Sequence, residues 1–329
     1  MTNQGAKEYT FEALTDLWTG DADGKPGRTI TTGLLGSIRW WFEVLVRGLG
    51  GGACDPTSSR NRCPDSRKKA TDSGHHCVVC ELFGCTGWAR KFRFEVLDEN
   101  GKAKAEQITK GQTFKLRFTP LRPILPQEWA LLDLTLRLIA EYGAIGGKTV
   151  LKPSDEPSRV NKPHHRDYGL IQFIEGATSS PVTEAELRDY VTEHRWRQPQ
   201  HDDFAWASLK NFWCVKGRYL ARQNANASTF NRVIGRPEAK GQSSQGDSWL
   251  AGRRAGGQPK PQDPESKRVL SFKSPREAVR TFGFVQFLDE LKNLGQELKT
   301  QLEKEWAGFE IAELKKKPDI LDELFKAGA

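Results

Sequence analysis

Two short stretches, KFRFEV at 91–96 and TFKLRF at 113–118, alternate large apolar and basic side chains residue by residue. A period of two marks a strand with one face in a core and one in water. Phe92 and Phe94 are therefore expected to face in, Lys91 and Arg93 out, and Phe114, Leu116 and Phe118 to share an inner face. DENG at 98–101 supplies an Asn-Gly turn after the first stretch. EYTFEAL (8–14) reads as a weaker strand and YGLIQF (168–173) as another. Elsewhere the spacing changes to three and four. Ile38, Trp41, Phe42, Leu45 and Leu49 form one stripe of a helix over about 33–48, and a second helix at about 126–142 buries Trp129, Leu132, Leu136 and Ile139.

The resulting order, βαββαβ, is that of the ferredoxin-like, RRM-type unit: an antiparallel sheet covered by helices on one face, in the α+β class. With 329 residues and roughly 150 per domain, two domains are expected. A second copy is suggested by aligning SIRWWFEVLVR (37–47) with SLKNFWCVKGR (208–218), which makes 205–220 a helix. The sequence thus reads as a domain over 1–185 carrying a cysteine-rich insertion at 51–85, and a second over 186–329. Residues 223–268, rich in Gly, Gln, Ser, Pro and basic residues, lack periodicity and read as a long mobile basic loop. RVLSFKSPREAVRTFGFVQF (268–287) is strand-like, and 287–306 is an amphipathic helix.

The formal net charge is +8, which suits a polyanionic partner. Residues 210–280 hold fifteen Lys/Arg against five Asp/Glu, whereas 281–329 hold seven against ten, so the positive charge is concentrated in one stretch. MTNQGAKEYT does not read as a secretory signal. The most apolar segments, 33–49 and 129–145, are interrupted by Arg39, Glu43, Asp133 and Arg137, so neither is expected to span a bilayer. A cytoplasmic location is the expectation, with no membrane partner and no small-molecule substrate.

In a reducing compartment, five cysteines within 54–85 point to metal rather than disulfides. The Cys77-x2-Cys80 knuckle with Cys54 and Cys63 makes a four-ligand set for a structural zinc, while Cys85 in LFGCTGW reads as a core thiol. The alternative is free thiols in a disordered loop. YGAIGGKT (142–149) lacks the first glycine and the strand-to-helix context of a phosphate loop. It reads as a helix cap at Gly143, followed by Gly146 and Gly147, whose amides can approach a nucleic-acid backbone, with Lys148, Thr149, Lys152 and Arg159 after them. GDADGKPG (20–27) reads as a turn rather than a calcium loop. Trp40 points about 100° away from Trp41, beside Arg39, Glu43 and Arg47 at four-residue spacing. That face is either a solvated ion-pair ladder or a contact surface for RNA or a neighbouring subunit. Aromatic and basic residues interleave again at Trp88, Arg90 and Lys91, as single-stranded RNA binding requires. No paired-carboxylate, Ser/His/Asp or Cys/His constellation is present. His164 and His165 are the one candidate acid/base pair.

The stretches LWTGDADGK, TGLLGSIRWWFEVLVRGLGG, CDPT, CVVCELFGCTGWARKFRF and GAIGGKT together resemble the RAMP superfamily, in particular the family of first subunits of Cmr effector complexes of type III-B CRISPR systems. The resemblance covers about 8–175. It implies two ferredoxin-like RAMP domains and a non-catalytic subunit holding the 3′ part of the crRNA, paired target RNA or both, at one end of the filament. Its partners would be other Cmr subunits, especially the sixth. The family's glycine-rich loop falls on Gly143, Gly146 and Gly147; VLKPSDEPSRVNKPHH, which follows here, departs from the pattern. Candidate RNA-binding residues are Arg39, Trp40, Arg47, Trp88, Arg90, Lys91, Gly143, Gly146, Gly147, Lys148, Thr149, Lys152, Lys210, Arg218 and Arg222. Two rival readings are a metal-independent endoribonuclease processing crRNA with His164 and His165, and an adaptor that meets protein only.

Overall fold

The computed structural model describes residues 5–20, 25, 27–56, 58, 61–147, 152–160, 162–176, 182–199, 204–242, 249–252, 266–286 and 298–327. The chain divides into two compact units that interleave along the sequence. The first contains 1–148, 169–210 and 317–329, and the second 149–168 and 211–316. A single cut at 185/186 therefore does not separate them: 149–168 leaves the first unit early, and 186–210 and 317–329 stay with it.

In the first unit, β1 (Lys7–Ala13), α1 (Thr31–Leu49), the short α2 (Val78–Phe83), β2 (Phe92–Asp98), β3 (Thr113–Pro120), α3 (Pro126–Tyr142), β4 (Ile171–Gly176) and α4 (Glu184–Thr192) follow one another. The sheet order is β2-β3-β1-β4, antiparallel at every pairing. Register aligns the apolar rows. Tyr9 lies opposite Leu116, Phe11 opposite Phe114, Phe94 opposite Phe118 and Val96 opposite Leu116, and all of these are buried. The other face carries Glu8, Thr10 and Glu12 on β1, Arg93 and Glu95 on β2, and Lys115 and Arg117 on β3. Ion pairs lie on it, Arg117 to Glu8 across the strands at 2.5 Å and Arg93 to Glu95 along β2 at 2.8 Å. Alternation along these three strands places no aromatic ring on that face.

Helix α1 packs with its expected stripe inward: Leu34, Ile38, Trp41, Phe42 and Leu45 are buried. Gly50, at φ 105°, ends it with its N–H on the carbonyls of Arg47 and Val46, a left-handed cap that glycine adopts at no steric cost. Trp41 donates its indole N–H to Ala144 O at 2.9 Å. Gly143 lies against the same ring, where a Cβ would stand 2.5 Å from the indole.

In the second unit the described elements are β5 (Phe212–Lys216), α5 (Thr229–Val233), β6 (Val269–Phe272), β7 (Arg280–Phe284), a helix α6 at 298–305 and β8 (Leu314–Lys315). The sheet order β6-β7-β5-β8 repeats the connectivity of the first sheet, again antiparallel. The molecule is thus mixed α/β with two four-stranded antiparallel sheets of ferredoxin-like order. The repeat is present, but the alignment that suggested it is not. Within 208–218 the strand β5 stands in place of a helix, preceded by a turn, and β5 is the counterpart of β1. Phe212 to Val215 are all buried, so the segment has no solvent face and shows neither period. One side of this sheet packs Trp213, Val215, Phe230, Val269, Leu302 and Trp306 together.

The 223–268 stretch is partly ordered, contrary to its reading as one mobile loop. Ser228 caps α5 by accepting from Asn231 N, and Trp249–Ala251 form a turn of 3₁₀ helix; 243–248 and 253–265 lie outside the described residues, as do most of GDADGKPG and 287–297 of the C-terminal helix. Helix α7 (Lys317–Ala327) returns to the first unit. Among the described residues no helix is long and apolar enough to cross a membrane.

Because Trp41 is 2% exposed and hydrogen-bonded, Trp41→Ala is expected to cost about 3–5 kcal/mol in urea unfolding. Gly143→Ala should also destabilise, by pushing on the same ring. Unchanged midpoints would show that this contact is not part of the core.

Candidate functional site

The chain turns out of α1 at Gly50 into the cysteine-rich insertion, and the four predicted thiols converge. The Sγ atoms of Cys54, Cys63, Cys77 and Cys80 all lie within 4.8 Å of one another, and all four residues are buried. Cys77 is the N-cap of α2 and Cys80 lies within its first turn, which is how a two-residue spacing bites one edge of a tetrahedron. Cys54 and Cys80 approach to 3.5 Å, and the Cys77 amide donates to Cys63 Sγ at 3.3 Å. Tetrahedral zinc with Zn–S bonds of about 2.3 Å sets its sulfurs about 3.8 Å apart, so this set can hold a metal ion. The thiols share their protons as a set: hydrogen bonds from Cys54, Cys63 and Cys80 lower the Cys77 thiol, while contact with one another and burial raise those three. Cys85 is half-buried beside the cluster rather than a core thiol.

The charged face of α1, expected to meet solvent or RNA, is directed into this insertion. Glu43 and Arg47 are each 6% exposed. Arg47 donates to Ala207 O and Ala53 O, both at 3.3 Å. Arg39 donates from Nε to Glu43 at 3.0 Å, from Nη1 to Gly84 O at 3.0 Å, and from Nη2 to the sulfurs of Cys80 at 3.3 Å and Cys54 at 3.8 Å. Burial pushes the Glu43 carboxyl up to about 7, against the pull of Arg39 and Arg47. The solvated ladder is therefore corrected to a buried one. Trp40 is half-buried, its ring edge-on to Trp41 with centroids 5.0 Å apart.

Lys91 is corrected in the same way. Instead of pointing outward, its ammonium is buried between Glu81, at 2.6 Å, and Glu128, at 2.8 and 2.9 Å. Glu128 also accepts from Tyr190 Oη at 2.8 Å, and Glu81 pairs with His76 Nε2 at 2.8 Å. Burial alone would raise the Glu81 carboxyl, but hydrogen bonds from His76 and Lys91 outweigh it and bring it to about 2. Trp88 stacks on His76 with centroids 4.4 Å apart and carries the Arg122 guanidinium 4.6 Å from its ring. Arg90 is exposed.

The glycine segment does not offer its amides to a phosphate. Gly143 N–H is shared by Leu138 O and Ile139 O at an ordinary φ of −113°, Gly146 N–H donates to Ser37 Oγ at 3.1 Å, and Gly147 N–H donates to Trp18 O at 2.9 Å. These glycines admit close backbone approach, since a Cβ at Gly146 would stand 2.9 Å from Trp18 O. Lys148 and Thr149 lie outside the described residues.

In the second unit, Lys152 Nζ donates to Asn231 Oδ1 at 3.0 Å, and burial, with Arg222, Lys267, Arg236 and Arg159 around it, lowers its ammonium to about 8. Arg222 is buried on the carbonyls of Asn224 and Ala225. Arg218 pairs with Glu313 at 2.7 Å. Lys210, in the first unit, is half-exposed. His164 is exposed, but His165 is buried, with Nδ1 3.2 Å from Lys152 O and Nε2 3.4 Å from Arg159.

Three residues of the first-unit site were missed from the sequence: Glu128, Tyr190 and Arg197. Arg197 donates to Cys63 Sγ at 3.5 Å and to the carbonyls of Asn61 and Arg62. No local pattern marks any of them, because each finds its partners on a distant element.

This architecture, a ferredoxin-like sheet with a cysteine insertion between α1 and β2, agrees with sequence comparison. Residues 10–151 match the RAMP superfamily. Among solved structures it is similar to apo Cmr1 from Pyrococcus furiosus, with 11% identity, 86% of this chain and 89% of that one covered, and a TM-score of 0.42. It is also similar to a chain of a type IV-B CRISPR complex (13%, 57% and 99%, TM-score 0.37) and to one of a type III-B Cmr-beta complex bound to cognate target RNA (12%, 53% and 55%, TM-score 0.34). No curated protein matches in sequence.

Removing one partner from a buried ion cluster leaves uncompensated charge. Lys91→Ala is therefore expected to lower stability by about 3–5 kcal/mol in denaturant titration. A neutral effect would return Lys91 to the surface role first read for it.

Proposed function

We propose that the chain is a non-catalytic RNA-binding subunit of a type III-B CRISPR (Cmr) ribonucleoprotein, holding the 3′ region of the crRNA, the paired target RNA or both at one end of the filament. Its neighbours are other Cmr subunits, the sixth RAMP subunit among them. The observation that carries this reading is the RAMP match over 10–151 on a sheet of ferredoxin-like order.

The charge distribution supports a polyanionic partner: 210–280 holds fifteen Lys/Arg against five Asp/Glu. Among the described residues, the outward positions of β1, β2 and β3 carry charged and polar side chains and no aromatic ring, so base stacking of the RRM kind has no ring to use on these strands. Basic side chains tracking phosphates therefore make the principal contact. Candidates for it are Arg90 and Lys210 in the first unit and, separately, the basic stretch of the second, with Lys148 and Thr149 in the segment that joins them. Arg39, Arg47, Lys91 and Arg222 have intramolecular partners and serve the fold.

We assign zinc to the cysteine set. Four thiols with no open position make a closed structural site rather than a catalytic one. His165, buried and hydrogen-bonded, is poorly placed as a general acid or base.

Tagged protein recovered from its host is expected to bring down small CRISPR-derived RNA together with Cmr subunits. The purified chain should leave single-stranded RNA intact with or without divalent metal. Recovery of the protein assembly without RNA would favour an adaptor, and cleavage abolished by replacing His164 and His165 would make the chain a nuclease.

A further inference from the structure

A divalent cation bound by four thiolates leaves two net negative charges at the centre. Buried in protein, such an anion is costly unless it is neutralised and hydrogen-bonded. The insertion's own cations do not approach the sulfurs among the described contacts. Arg67, for example, is mostly exposed and paired with Asp65 at 2.9 Å. The donors come instead from outside the insertion. Arg39 on α1 reaches Cys80 Sγ at 3.3 Å and Cys54 Sγ at 3.8 Å, and Arg197, beyond α4, reaches Cys63 Sγ at 3.5 Å.

We propose that Arg39 and Arg197 are positioning residues of a charge-compensated tetrathiolate zinc centre, each donating to ligand sulfur from outside the ligand set; this rests on the zinc assignment above. The electrostatics close around it. Two guanidinium groups thus face the doubly negative centre, Arg39 at Cys80 and Cys54 and Arg197 at Cys63. Each arginine is held for the task. Arg39 is fixed by Glu43 at 3.0 Å and by Gly84 O at 3.0 Å, and Arg197 by Asn61 O at 2.9 Å and Arg62 O at 2.8 Å.

The centre also works as a staple. The 194–197 strap is stitched to the insertion by Ser73 Oγ on His194 O, Gly74 N on Arg195 O and Arg197 N on His76 O, at 2.8 to 2.9 Å. Metal binding therefore ties three sequence-distant pieces together: α1, the insertion and the strap after α4. Groups that orient and neutralise metal ligands in this way change affinity by about 10- to 100-fold.

The test uses the full chain. Metal content is measured on chelator-free preparations, and zinc affinity by competition with a chromophoric chelator, for wild type, Arg39→Gln, Arg197→Gln, Arg39→Lys and the control Arg67→Gln. Cobalt-substituted samples report the thiolate charge-transfer band, and melts of the metal-free forms report folding separately. The expected result is about one zinc per wild-type chain, affinity lower by about 10- to 100-fold for each Gln variant with a shifted cobalt band, partial recovery in Arg39→Lys, and no change in Arg67→Gln. Gln variants with wild-type affinity and spectrum would overturn the proposal while leaving the zinc assignment standing. A wild-type chain that takes up no metal would overturn both. If a Gln variant does not fold without metal, Arg39→Lys decides: wild-type charge with displaced sulfur contacts should still weaken zinc measurably, and unchanged affinity there contradicts the positioning role.

Discussion

Helix α1 is buried on two faces, and the rest of the first unit is organised around that constraint. One face carries Trp41 and its apolar neighbours onto the sheet, where size and shape decide. The other carries Arg39, Glu43 and Arg47, and charge can be buried only where each group meets a partner. Those partners are the carbonyls of Ala53, Gly84 and Ala207 and the sulfurs of Cys54 and Cys80. The insertion is therefore the second wall of α1's environment rather than a loose appendage. The adjacent tryptophans follow from the same division. Trp41 fills the core beside Gly143, while Trp40 sits at the seam, edge-on to its neighbour.

What could be read from the sequence were the features that depend on a residue's own neighbours in the chain. The alternation at 113–118, the stripe of α1 and the order of elements gave the first sheet, and the Cys77-x2-Cys80 knuckle led to the full four-cysteine cluster. Features set by distant pairing did not show. Arg39, Glu43 and Arg47 have the spacing of a surface ladder, and Lys91 the alternation of an outward strand residue, because a charge looks the same whether water or a carboxylate waits for it. Arg197 is 117 positions beyond Cys80 and joins the site only through folding. Residues 208–218 failed for another reason: a strand covered on both sides has lost the alternation that would identify it.

The functional reading changes shape accordingly. Interleaved aromatic and basic residues in the sequence suggest stacking platforms, yet around α1 and β2 several of them serve internal order. The glycine segment is similar in kind. Its amides are bonded to Ser37 and Trp18, so it brings the 18–19 backbone close rather than cradling phosphate. The surface proposed for RNA accordingly moves from the polar side of α1 toward Arg90, Lys210 and the basic stretch of the second unit, where charge is plentiful and sequence-independent backbone contact is what it provides.

Crosslinking the RNA to protein in the assembled complex, followed by peptide mapping, tests this division most directly. The account predicts crosslinked peptides from 210–280 and around Arg90, and none at Arg39 or Arg47. Crosslinks concentrated on Arg39 and Arg47, with 210–280 unmarked, would show that the charged face of α1 opens to RNA and contradict the arrangement described above.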